Sequence, residues 1–288
     1  MSWQLAIILS TLGLSFGSVF TKMFLSKHTV NPVVFSIFQQ LITAFFIFLL
    51  AIYNGAFTIS NFKAIPINIL LTMVLYGLAN IFIYKSIANL SMAKFTVIFS
   101  TRVLFTLLLS TLLFGESVSI SLLVGIFLVL LSVYLVSIEK KSLVTTHRKK
   151  YLLYCGLSAL FVGFSAVNDG FILKSVNVYL YTFLSYFLPG LFVLAFYLNQ
   201  VKTSLKSTLF NMEYIKNTSI VAIFTAISGY LYVLAINLSK SPSKVSGIGV
   251  SSVIIVVLLS FIILKERDNY KSKLFASLLC FVGLYLIS

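Results

Sequence analysis

Long apolar runs alternate along this chain with short polar breaks, and the spacing of the breaks sets the elements. A helix needs about 20 mostly apolar residues to cross a bilayer core. Ten such runs are predicted, at 3–24, 31–53, 64–84, 93–114, 119–138, 151–173, 177–199, 215–238, 244–264 and 271–287. Asn31-Pro32 opens the second run, where proline suits the first turn of a helix, and Asn54-Gly55 closes it. A polar stretch from Ser239 to Lys244 parts the eighth run from the ninth. Buried helices of a soluble protein mimic one or two such runs, but not ten in succession. No basic segment precedes the first run and no small-residue cleavage pattern closes it. It therefore reads as a retained helix and not a signal peptide. The pattern predicts an all-α integral membrane protein with ten transmembrane helices.

Composition agrees. The chain is 60% hydrophobic and 9% charged, with a mean hydropathy of +1.08; a soluble domain carries about a quarter charged residues. Lys and Arg number 21 against 6 Asp and Glu, a formal charge of +15. No basic, aromatic-interleaved polar domain is present to hold a nucleic acid. The charges read instead as anchors in short loops: 15 fall in connections after odd-numbered spans and 4 after even-numbered ones. Cys155 and Cys280 lie inside apolar runs and suggest neither a disulfide framework nor a metal site. His28 and His147 are the only histidines, both in predicted loops. There is no His-Glu-x-x-His motif, no paired intramembrane aspartates and no Gly-rich phosphate loop. Enzyme chemistry is poorly supported, and no cofactor or metal is expected.

The longest basic linker, 139–150, divides the chain into 1–138 and 151–288, with five spans on each side. Leu113-Phe114-Gly115-Glu116 before the fifth span matches Leu264-Lys265-Glu266 before the tenth. The block from Tyr84 to Leu90 (YKSIANL) matches Tyr232 to Leu238 (YVLAINL), each followed by serine. Shifts of 150 and 148 residues align these blocks. An odd number of spans per half forces the copies into opposite orientations. Inverted repeats of this kind are a transporter architecture, with the site near midplane between the halves.

With Gly115-Glu116 and Leu123-Val124-Gly125-Ile126-Phe127-Leu128 in the first half, and Glu266 and Gly283 in the second, the chain resembles the drug/metabolite transporter superfamily, EamA type. The resemblance covers essentially the whole chain. It implies a multi-pass carrier in the cytoplasmic (inner) membrane that moves small metabolites by alternating access, often as an exporter of amino acids or related compounds. The alternatives are uptake of a metabolite or nucleotide-like anion, or a membrane-embedded enzyme. The partners implied are a small-molecule substrate and the lipid bilayer, with proton coupling as an option and a monomer or homodimer as the assembly. Lys265 stands where the family often has Gly, and Arg102 where many members have small residues or Pro.

Arg102 is the residue most in need of a task. It comes about ten residues into its span, so about 15 Å deep, where an arginine costs roughly 2.5–3.5 kcal/mol on insertion scales. Its planar fork suits a substrate carboxylate or phosphate; the alternative is a structural lock on backbone carbonyls or an acidic side chain. Thr101 with Ser251, and Ser252 opposite Arg102, are repeat-related hydroxyls that line the same cavity or bond their own helices. Asp169, the only carboxylate inside a predicted span, is the candidate for proton coupling; otherwise it is interfacial and paired with Lys174. Tyr76, Asn80 and Tyr84 are four apart and share one helix face. With Gln39, Tyr230, Ser228, Tyr232, Gln40 and Asn168 they suggest a polar cavity or interhelical bonding. Lys22 is expected to snorkel to the interface. Glu116 and Glu266 are expected to cap spans five and ten, and Gly13-x-x-x-Gly17 and Ala159-x-x-x-Gly163 to allow close helix packing.

The loop charges predict orientation. The positive-inside rule puts the odd-numbered connections in the cytoplasm and both termini outside, whereas the family resemblance implies both termini inside. A C-terminal fusion to a reporter active only in the cytoplasm separates the two. The charge distribution predicts no signal.

Overall fold

The computed structural model describes every residue except 28–29, 56–65, 115–119, 138–145, 210–211, 250, 267–268 and 288. The described elements are all helical. In the first half they are α1 (Trp3–Lys27), α2 (Pro32–Tyr53), α3 (Pro66–Asn89), α4 (Met92–Phe99), α5 (Arg102–Phe114) and α6 (Ile120–Ser137). In the second they are α7 (Thr146–Ile172), α8 (Val178–Leu209), α9 (Met212–Ser239), α10 (Pro242–Gly249), α11 (Ser252–Ile263) and α12 (Tyr270–Ile287). Asn31 caps α2 through its side-chain oxygen, which accepts from the Val33 amide at 2.9 Å. Helix α3 and the start of α7 run into the predicted connections. Helix α8 continues to Leu209, but Tyr197 leaves helical geometry (φ −118°, ψ 21°), close to the predicted end of that span.

All ten predicted runs are helical over most of their described residues, eight of them long and apolar enough to cross a membrane, and two of them correct the expectation of unbroken helices. The fourth consists of α4 and α5, the ninth of α10 and α11. At the first break two successive hydroxyls bond back to the end of α4. Ser100 Oγ donates to the Val97 carbonyl at 2.6 Å and Thr101 Oγ1 to Ile98 at 2.7 Å. Such back-bonding competes with the helix ladder. The Thr101 amide bonds Ile98 three residues back, and a shift of 150 finds the same bond from Ser251 to Ile248. The breaks are therefore features of the repeat.

Packing exchanges one helix between the halves. Helix α1 lies along α9 and touches α11, while α7 lies along α3 and touches α5. Gly13 and Gly17 permit the first of these contacts. A Cβ at either would sit 3.3 Å from a Cβ of α9, that of Ser228 or Phe224. Helices α2 and α8 pair, as do α6 and α12.

Glu266 and Lys22 both close helix ends of the first half. Both Glu266 carboxylate oxygens accept from the Met92 amide, at 3.3 and 3.1 Å, so Glu266 caps α4 of the opposite half. Ser91, in the N-cap position of α4, makes no capping bond of its own, so Glu266 supplies a side-chain acceptor at this terminus. Lys265 turns the chain there in the left-handed region (φ 55°). Lys22 does not snorkel: its ammonium donates to the carbonyls of Ile87 at 2.8 Å and Ala88 at 3.1 Å, closing the C-terminal end of α3. A cation is favoured at that end of a helix. Glu116 lies outside the described residues.

Removing the cross-half cap should weaken the fold. Glu266→Ala is expected to cost about 0.5–2 kcal/mol, read as a lower melting temperature in detergent. Glu266→Gln, which keeps an acceptor oxygen, should lose less.

Candidate functional site

Between the halves lies a cavity of about 240 Å³, walled by α1 to α5, α7 to α9 and α11. Of the residues singled out from the sequence, Arg102, Ser252, Asn80, Tyr84, Tyr76, Gln39 and Asp169 line it together. Thr101, Ser251 and Tyr230 are not on its wall. Thr101 spends its hydroxyl on Ile98, and Tyr230 stacks on Tyr179 with ring centroids 5.1 Å apart. Gln40, Ser228 and Tyr232, named with the polar groups of the spans, line it as well, and Tyr181, Tyr186 and Thr96, which the sequence reading left out, complete the lining.

Arg102 enters this cavity as the first residue of α5. A helical side chain leans toward the preceding turn, and here its guanidinium carbon sits 4.8 Å from the ring centroid of Phe99, the last residue of α4. Among the described residues the guanidinium makes no hydrogen bond and no ion pair, so the structural lock on carbonyls or an acid is not what is found. Its backbone is held firmly. Thr106 Oγ1 donates to the Gly163 carbonyl of α7 at 3.1 Å, and a Cβ on Gly163 would stand 2.6 Å from the Arg102 carbonyl oxygen. Only glycine allows α5 so close to α7.

Asp169 is buried, 1% exposed, and so is not the interfacial, Lys174-paired residue of the bland expectation. Its carboxylate accepts from the Tyr76 hydroxyl at 2.7 Å and from the Tyr181 hydroxyl. Next to it, Asn168 Nδ2 donates to the Asn68 carbonyl at 2.8 Å and to Thr72 Oγ1 at 3.0 Å. Helices α3 and α8 thus fix the carboxylate on α7. Lys174 lies instead over the ring of Phe171. Tyr76 and Tyr232 are within electrostatic reach of both Arg102 and Asp169. One cation and one carboxylate therefore share a cavity, with phenols near both and no ion pair joining them.

Gln39 is fully engaged. Tyr84 donates to its Oε1 at 2.6 Å and its Nε2 donates to Thr43 Oγ1 at 3.0 Å. This network ties α2 to α3. Gln40, one residue on and equally buried, has no hydrogen-bond partner at either amide atom. No grouping of metal-ligating side chains occurs among the described residues.

The model of the EamA-like transporter family matches residues 1–138 and again 149–288. The chain belongs to the EamA-like transporter family. It is a multi-pass membrane protein of a family that carries small molecules. A solved crystal structure of another protein superposes with a TM-score of 0.66 over 98% of this chain and 94% of that one, at 14% identity. At that identity the likeness shows the fold alone. None of the curated proteins compared matches the sequence.

The contact at Gly163 generates a prediction. Gly163→Ala must push α5 off α7 and carry Arg102 with it, at about 1–3 kcal/mol and with reduced transport. Gly156→Ala, on the same helix with nothing within 4 Å, is the control. It should be neutral or slightly stabilising, because alanine suits a helix interior better than glycine. Melting temperatures of the two variants check the difference.

Proposed function

We propose that the protein is a secondary transporter that exports small zwitterionic or anionic metabolites, amino acids and related compounds, across the cytoplasmic membrane by alternating access at this cavity. The observation that carries the reading is the Arg102 guanidinium, held in the cavity by a rigid backbone yet without a protein acceptor. A charged group left without a partner in an apolar bundle is costly, and a substrate carboxylate supplies what is missing through two parallel charge-assisted bonds. Asp169 supports the zwitterionic form. It presents a negative group to the same space, apart from Arg102, where a substrate ammonium finds a partner. Its burial on α7, held by two tyrosines, also suits a proton-coupling carboxylate, whose charge would be cancelled as the transporter reorients.

The breaks in the fourth and ninth spans support the mechanism. Discontinuous helices at repeat-related positions are where transporters of this architecture bind their substrates, and Arg102 and Ser252 sit one at each break.

Two sets of variants test the reading in proteoliposomes. Arg102→Lys keeps the charge but loses the fork, so transport should fall roughly 10- to 100-fold. Arg102→Gln should abolish transport while the melting temperature holds or rises, because a desolvated charge is removed. Normal transport by Arg102→Gln would remove Arg102 from the site. For coupling, an imposed pH gradient should drive accumulation by the wild type. Asp169→Asn should exchange substrate across the membrane but no longer accumulate it; gradient-driven accumulation by that variant would sink the coupling role.

A further inference from the structure

Two glutamines stand side by side on α2, and their environments differ. Gln39 uses both amide atoms inside the protein. Gln40 uses neither, although it is 1% exposed and sits on the cavity wall. A buried amide that gives up water and gains no partner is a net loss to the fold, which a methionine or leucine of similar size avoids. The Gln40 amide is therefore kept for a partner that the folded chain does not contain.

We propose that Gln40 is a specificity-determining residue: its carboxamide recognises an uncharged amide on the substrate, such as a carboxamide side chain or a peptide bond. The inference rests on the zwitterion reading for the two charged ends of that substrate. A carboxamide presents one acceptor and one donor side by side. An amide on the substrate presents the same pair in reverse, so two parallel hydrogen bonds form. An alkyl or thioether group offers neither bond and leaves Gln40 unsatisfied, which is how a polar site rejects an apolar analogue. Gln40 is a residue of the cavity wall, and a turn about its own side-chain torsions brings its buried amide to the substrate. Arg102 on α5, Asp169 on α7 and Gln40 on α2 then hold the carboxylate, the ammonium and the amide from three helices.

L-Glutamine and L-methionine are nearly isosteric zwitterions that differ in this one group, and radiolabelled uptake into proteoliposomes compares them. The wild type should half-saturate with glutamine at a concentration about tenfold below that for methionine. In Gln40→Met the ratio should collapse to within about twofold, with the melting temperature unchanged or raised, because two unsatisfied polar atoms are gone. A wild type that takes up both alike, or neither, overturns the proposal, as does a ratio that survives Gln40→Met. Arg102→Gln run alongside separates the two readings. Loss of both fluxes in Arg102→Gln, with the ratio intact in Gln40→Met, defeats the amide site alone. Undiminished flux in Arg102→Gln, with a ratio that follows residue 40, defeats the zwitterion reading and leaves the amide site standing.

Discussion

Inside a bilayer a backbone has no water to bond, so it satisfies itself or faces a protected space. Everything distinctive about this bundle follows from where that rule is relaxed. Ten spans obey it along most of their length. Two break, and the breaks fall at positions 150 residues apart, where Thr101 and Ser251 carry the same short-range bond. Both breaks adjoin the cavity, since Ser100, Arg102 and Ser252 all line it. The non-helical backbone is thus tolerated where side chains of neighbouring helices surround it.

The charged groups follow the same logic in two ways. Lys22 and Glu266 are absorbed by helix termini, the first closing the carbonyls of α3 and the second the amide of α4. These are structural uses of charge, and each group has a protein partner. Arg102 and Asp169 differ. The carboxylate is held by phenols and not by a cation, and the guanidinium rests on a ring with no acceptor. Placing two opposite charges in one cavity without letting them meet gives up an available attraction. It leaves both fields open to whatever enters.

The spans were legible in the sequence because hydrophobic length alone dictates them, and the paired Glu blocks and basic linker made the repeat visible. Tyr76, Asn80 and Tyr84 were legible as one face because their spacing is helical. The breaks were not read. Ser100-Thr101 lies in an apolar run without Pro or Gly, although Gly247 and Gly249 beside the second break were a usable sign. Tyr230 was misplaced against available evidence, since residues two apart, such as Tyr230 and Tyr232, point to different faces. Tyr181 and Tyr186 hid in an aromatic-rich helix. Gln39 has Thr43 four residues on along its own helix, where Gln40 has Ala44, so half of the difference between the two amides was open to a local reading. The other partner, Tyr84, comes from α3 and so from the tertiary fold.

The exchange of α1 and α7 between the halves bears on how the protein is made. Ser10 and Ser228 bond each other's carbonyls across 218 residues of chain. Helix α1 leaves the ribosome well before α9, its main partner, and waits while the intervening helices follow. Until then its Gly13–Gly17 groove faces lipid or a temporary companion. Helix α7, by contrast, meets α3 and α5 already in place. Although the halves share an architecture, they are not equivalent in assembly: the second can complete its contacts as it emerges, and the first must wait for it.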